Sequence, residues 1–225
     1  MARVQIITGK TENSASDVVI TFAASVTAGN LIEVSVVFYT NNSTGTITVA
    51  DDKNTSYSQV DTYATQTTFR VAKFYVANTA SGTTTITVHP NQSGTYLRVT
   101  AVEYDGLATS SPLVSSSKGN ATSTTPATGL VTINAPGDLV TATFGFAAYS
   151  AGAIANDTLG MLAFITTNGV SLYTCDTSAT ANRNNKIDTA SAVWAAIGAC
   201  YKLTSYPSSG GGGFKSPATM DGGFQ

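Results

Sequence analysis

His89 is the only histidine in the 225-residue chain, so any Ser-His-Asp or Cys-His relay would have to use it. It stands in TVHPNQ, at the end of an apolar alternation and directly before a proline, where an imidazole facing a turn is the plainer reading. Zinc needs several His or Cys ligands brought together, and His89, Cys175 and Cys200 are far apart in the chain. We therefore expect no catalytic residue, no cofactor and no metal.

Thirteen acidic residues leave room for the carboxylate pair of a glycosidase, but most of them fall in turn-forming clusters. ADDKNTSY groups Asp51, Asp52 and Asn54, oxygen donors that could hold calcium, yet without the spacing or glycine of an EF-hand loop. Asp and Asn also favour turns by bonding their own backbone, and a hairpin turn is expected there. Asp105-Gly106 in EYDGLA is likewise a turn signal first. Asn120 in NAT matches a glycosylation acceptor, as chance allows in so threonine-rich a chain. Cys175 and Cys200 are expected as packed, reduced thiols. Ring stacking on a sugar would need exposed aromatics. Phe38, Phe69, Phe74, Phe144 and Trp194 lie in apolar alternations and read as core, which leaves Tyr149, Tyr173 and Tyr206 for surface contacts.

The elements that would position these residues are strands. Period-two or continuous apolar runs rich in Val, Ile, Thr, Phe and Tyr occupy 17–22, 31–39, 68–76, 83–90, 96–104, 128–133, 138–149, 159–166 and 191–203, after a first short strand in MARVQIITGK. TAGN, NNSTG, NTASG, NQSG and APGD punctuate them. The last run, SAVWAAIGACYKL, alternates in a way that fits a strand buried on both faces. SSSKGNATSTTPAT, 115–128, reads as a polar crossover. No amphipathic helix is evident, so the expected fold is all-β, a two-sheet antiparallel β-sandwich with jelly-roll-like connections and an immunoglobulin-like sandwich as the alternative. The sandwich should span 1–206, followed by an extended glycine-rich C-terminal arm, 207–225.

Charged residues are 11% of the chain, with a formal net charge of −2, against a usual share of about 25%. Nucleic acid binding requires clustered Lys and Arg, and the eleven basic residues are scattered. No apolar run reaches the roughly 20 residues of a membrane span, and the first ten residues lack the pattern of a signal peptide. The expectation is no nucleic acid, no membrane and synthesis in a cytoplasm.

VTAGNLIEVSVVF (26–38), FRVAKFYVANTASGTTTITV (69–88), RVTAVEYDGLATSSPL (98–113) and SAVWAAIGACYKL (191–203) resemble a jelly-roll-like β-sandwich module of phage virion proteins and secreted bacterial proteins. The resemblance spans most of 17–203. It implies a non-enzymatic virion protein, most concretely a capsid decoration (cement) protein that binds the major capsid protein or another shell protein on the head surface. Such a protein would self-associate, with a trimer favoured. A carbohydrate-binding or adhesion module of a tail fibre or cell surface is the alternative.

Under that reading the arm has a role. Fixing about fifteen residues costs on the order of 15–30 kcal/mol of backbone entropy, more than two phenylalanines offset by folding back on their own domain. Gly210 to Gly213 let the backbone lie close to another subunit, and Phe214, Met220 and Phe224 supply apolar anchors with Lys215 at the rim. These four are the expected partner-binding residues.

Overall fold

The structure, a computed structural model, describes residues 1–14, 16–39, 44–54, 56–92, 95–147, 160–167 and 170–206, with the backbone alone for 12–14, 95 and 160–167. Sixteen strands and no helix are found among them. A six-stranded antiparallel sheet runs in the order β1 (Arg3–Ser14), β9 (Thr95–Tyr104), β3 (Leu31–Tyr39), β7 (Phe69–Val76), β5 (Ser58–Gln59), with β6 (Ala64–Thr65) also on β7. Opposite it lies a three-stranded sheet, β2 (Val18–Thr21), β8 (Thr85–Pro90), β4 (Ile47–Asp51). The later chain forms a five-stranded sheet, β10 (Leu113–Ser123), β16 (Ala192–Tyr201), β12 (Leu139–Ala147), β14 (Val170–Ser178), β13 (Gly160–Thr167), and a two-stranded one, β11 (Ala127–Val131) with β15 (Arg183–Lys186).

The fold is all-β, but four sheets replace the expected two. Side chains on alternate positions of β3 explain why. Ile32, Val34, Val36 and Phe38 pack with Ile20, Val49, Ile86 and Val88 of the three-stranded sheet. Leu31 and Val37 point the other way, into a second core with Leu139, Leu172, Ile197 and Tyr201 of the five-stranded sheet. Phe144, Trp194 and Ile187 form a third apolar cluster and Val131, Val140 and Cys200 a fourth, both beyond the five-stranded sheet on its other side. Strands buried on both faces need cover on both sides, which a two-sheet sandwich cannot give.

The strands form two sets with one pattern. β1-β9-β3-β7 with β2-β8 is matched by β10-β16-β12-β14 with β11-β15. Leu31 pairs with Tyr104 as Leu139 pairs with Tyr201. The register of β1 shifts just after Arg3, opposite Tyr104, and that of β10 just after Leu113, opposite Tyr201. The turns before β3 and β12 agree bond for bond. Gly29 N donates to Thr79 O at 3.0 Å and Thr79 N to Asn30 O at 3.0 Å; Gly137 N donates to Ala179 O and Ala179 N to Asp138 O, both at 2.8 Å. Gly29 and Gly137 have φ of 86° and 103°, a region that disfavours side chains. The expected domain 1–206 therefore contains two structural repeats, packed through their larger sheets.

Two sequence expectations are corrected. The crossover at 115–128 is largely β10, a strand whose residues are half-buried or exposed on both faces, so it lacks the apolar alternation that marks a strand. Tyr173, expected at the surface, is 1% exposed because β14 is an interior strand of its sheet.

Candidate functional site

The free edge of the first repeat carries Val4, Ile6 and Val19, three of the exposed large apolar side chains among the described residues; Met1 and Leu130 of β11 are the others. β1 ends the six-stranded sheet and β2 ends the three-stranded one, and the two cross closely at Gly9, where a Cβ would collide with Ile20 and approach Val18 to 2.9 Å. Glycine is required by this approach; Gly119 of β10 has the same need against Ala127 and Trp194. Along the crossing runs a groove of about 500 Å³ lined by Ile7 to Thr11 and Asp17 to Thr21. Val19, which lines it, is 59% exposed, and Val4 and Ile6, elsewhere on β1, are 49% and 36% exposed. An unpaired strand edge presents backbone donors and acceptors in a row, and here apolar side chains flank them.

His89 stands near this edge. Its Nδ1 lies 2.6 Å from Asp17 Oδ1, both side chains being about half exposed, so the lone imidazole ties β8 to the start of β2 on the surface. The Asp51 cluster is a turn. Asp51 accepts from Lys53 N at 2.7 Å, Asn54 Nδ2 at 2.9 Å and Tyr57 Oη at 2.6 Å, while Asp52 accepts from Thr84 N at 3.0 Å. Burial, then the Asp51 carboxylate, raises the Tyr57 phenol pKa far above its ordinary value. Among the described residues no three His, Cys, Asp or Glu side chains come together as metal ligands.

Cys175 and Cys200 are buried thiols outside any disulfide. Burial first, then nearby Asp138, pushes the Cys200 thiol up to about 12, which suits an inert packed group. Trp194 is buried, as are Phe38, Phe69, Phe74 and Phe144. Tyr206 donates to Asp138 Oδ1 at 2.7 Å. Tyr149 and the four arm residues Phe214, Lys215, Met220 and Phe224 lie outside the described residues.

In the second repeat the corresponding edge, β10, is clasped. Ser116 Oγ donates to Asp61 Oδ2 at 2.9 Å, Lys118 Nζ reaches Asp61 Oδ1 at 3.3 Å, and Asn120 Nδ2 donates to Thr65 O at 2.5 Å. Gln66 Nε2 adds bonds to Trp194 O at 2.8 Å and Ala121 O at 3.1 Å. All the clasping residues come from the β5–β6 region of the first repeat. A recess of about 310 Å³ lined by Tyr63, Thr65, Lys118 and Asn120 remains beside the clasp. The ring of Tyr63 is engaged by Phe38, 5.5 Å away edge-on, and by Arg70 at 5.0 Å.

A polar cluster that the sequence did not disclose lies between the two larger sheets. Lys73, fully buried, contacts Glu33 directly, and Thr141 bridges them, its Oγ1 accepting from Lys73 Nζ at 2.8 Å and donating to Glu33 Oε2 at 2.7 Å. Nearby, Tyr104 donates to Asp176 Oδ2 at 2.9 Å, and Arg3 is 3.8 Å from the same oxygen. Burial raises the Asp176 pKa above its ordinary value, against the lowering effects of the Tyr104 bond and the Arg3 charge. Glu33 in LIEVSVVFY and Lys73 in FRVAKFYV were the only signal, charged residues inside apolar strands.

No family model, curated protein or solved structure matches the chain.

Proposed function

We propose that this is a non-enzymatic structural protein of a virion, a capsid decoration (cement) protein made in the host cytoplasm that binds the major capsid protein or a related shell protein. The observation that carries the reading is the open β1–β2 edge, with Val4, Ile6 and Val19 exposed on a weakly charged chain. Exposed apolar surface beside an unpaired strand suits a docking contact made once and kept. The finer architecture belongs to the same reading: the order β1-β9-β3-β7 opposite β2-β8-β4 supports jelly-roll-like connections, with the second half as a shortened counterpart.

The arm, through Phe214, Lys215, Met220 and Phe224, would add contacts to a neighbouring copy or to the shell, and a trimer is the favoured assembly. Imaging particles with and without the protein tests this: density on the outer shell that disappears without the protein is expected, and its absence from particles overturns the reading. The recess at Tyr63 and Asn120 favours the carbohydrate-binding alternative, which binding of the isolated protein to a glycan array would support.

A further inference from the structure

We propose that Lys73 and Glu33 condense into an intramolecular isopeptide bond that staples β3 to β7. This inference is independent of the virion reading, because it rests only on the cluster between the two larger sheets.

The two side chains are 0% and 4% exposed and belong to neighbouring strands, with Lys73 directly opposite Ser35 and Glu33 two positions further along the same face. They already touch, and no backbone movement is needed to join them. The reaction runs through the form in which one proton has passed from Nζ to Oε1, an amine facing a carboxylic acid, and the direct contact between the two atoms lets that transfer occur without water. Reacting groups held in contact gain much of what a bimolecular reaction loses in entropy.

The remaining parts of the reaction are at hand. Thr141 Oγ1 is 2.8 Å from Lys73 Nζ and within 2.7 Å of Glu33 Oε2, so it can accept a proton from the attacking nitrogen while giving its own to the carboxyl oxygen. Tyr201 is fully buried with its hydroxyl against the Glu33 carboxylate, where it can donate to the oxygen that becomes negative as Nζ attacks. In the balanced step the Nζ–Cδ bond forms and the Cδ–Oε1 bond breaks. Nζ, having passed one proton to Oε1, gives up a second to Oε2 through Thr141; the Oε1 hydroxyl then leaves with the Oε2 proton as water, and Oε2 becomes the amide oxygen. No oxidant or second substrate is required. Exclusion of solvent then protects the product from hydrolysis.

The product closes a loop across 40 positions of sequence, a constraint on the unfolded chain comparable in kind to a disulfide. The test is the intact mass of the full chain, folded and then denatured. The expected result is a mass below that of the sequence by one water, with Lys73 resistant to trypsin and a branched peptide joining the segments that carry Glu33 and Lys73. Lys73→Arg should restore the full mass, and Thr141→Val should slow the loss of water at least about tenfold. Full sequence mass in the wild-type protein after prolonged incubation overturns the proposal, whatever the variants do. A deficit that persists in Lys73→Arg also overturns it, and a Thr141→Val protein that reacts at the wild-type rate removes Thr141 from the mechanism.

Discussion

Gly145 of β12 lies directly under Val37 of β3, at the same position in the other repeat: a Cβ on Gly145 would come within 2.9 Å of Val37 Cγ2 and 2.6 Å of Val71 Cγ2. Ser35 and Thr143, also equivalent and 108 residues apart in sequence, hydrogen-bond each other at 2.7 Å. Glu33 and Thr141, the next pair, do the same. Three successive equivalent pairs meeting across the interface place a local twofold relation between β3 and β12. The relation is like that in an isologous dimer, here within one chain. The repeats have diverged at the contact into large against small and charged against neutral.

Overpacking tests that fit. Gly145→Ala should destabilise the protein by about 1–3 kcal/mol, since two valines must move from a tightly packed core. Val37→Ala in the same chain should recover part of the loss, which urea denaturation of the single and double variants would measure as a coupling between them. Additive effects would mean the two residues are not in contact.

The charged pair should behave as a unit. Lys73→Met leaves the Glu33 carboxyl buried beside Thr141 without its partner, ionic or covalent, and should cost about 3–5 kcal/mol, whereas replacing Glu33, Lys73 and Thr141 together by apolar residues of similar volume should cost far less. The pair also bears on partner choice: two first repeats packed in the same way would bring Glu33 against Glu33. Loss of the charges should therefore permit intermolecular mispairing, visible as dimers in light scattering of the triple variant.

Two aspartates give opposite pH signatures. Burial works against ionisation of Asp61, but the Ser116 bond, the Lys118 charge and the Thr62 backbone bond outweigh it and hold the pKa below the ordinary 3.8. The clasp on β10 is thus at full strength above that value and weakens as pH falls through the depressed pKa. Asp61→Asn should lower stability at neutral pH by roughly 0.5–1 kcal/mol, and the difference should vanish in strong acid. Asp176 is raised chiefly by burial, so its contribution is fully present below pH 3.8 and is lost as pH rises through its folded pKa. Asp176→Asn should flatten the fall in stability over that interval. Melting temperatures of the two variants across pH 2–8 check both signs, the window being set by the ordinary carboxylate value.

Much of the strand map was legible because burial imposes apolar alternation. The expected runs at 31–39 and 96–104 coincide closely with β3 and β9. β10 was not legible, since its side chains face a clasp and solvent instead of a core, and β15, RNNK, has only Asn185 buried among four polar residues. The second repeat was hidden for a different reason: TAGNLI and APGDLV share a turn geometry more than a sequence. Of the candidate site, the turn chemistry of Asp51 and the burial of Trp194 could be read. The open edge could not, because Val4, Ile6 and Val19 stand in apolar runs that do not say which strand ends a sheet.

Chemistry should be dispensable at the surface residues that first suggested it. His89→Ala breaks a half-exposed pair with Asp17 and should cost no more than about 1 kcal/mol. Asp51→Asn and Asp52→Asn should loosen the β4 turn without abolishing particle attachment, and a chelator should leave attachment unchanged. Loss of attachment on chelation, restored by calcium, would return the Asp51 cluster to the list of sites.

The open edge makes the most direct functional prediction. Val4 and Ile6 of β1 and Val19 of β2 are exposed, so exchanging them for threonine removes apolar contact area while keeping side chains that suit strands, Thr being close to Val and Ile in β preference. Stability of the triple variant should stay within about 1 kcal/mol of wild type, because exposed positions contribute little to folding. Attachment should fall at least tenfold if the three side chains are buried against a shell protein, each buried apolar group contributing on the order of 1 kcal/mol or more. Deletion of 208–225 separates the arm from the edge: the described domain should keep its far-ultraviolet spectrum and melting temperature, and attachment should weaken independently of the edge substitutions. Quantified occupancy on purified particles is the measurement, with wild-type protein as reference. If the edge variant binds as well as wild type while the arm deletion does not, docking belongs to the arm alone; if both bind fully, the decoration reading fails.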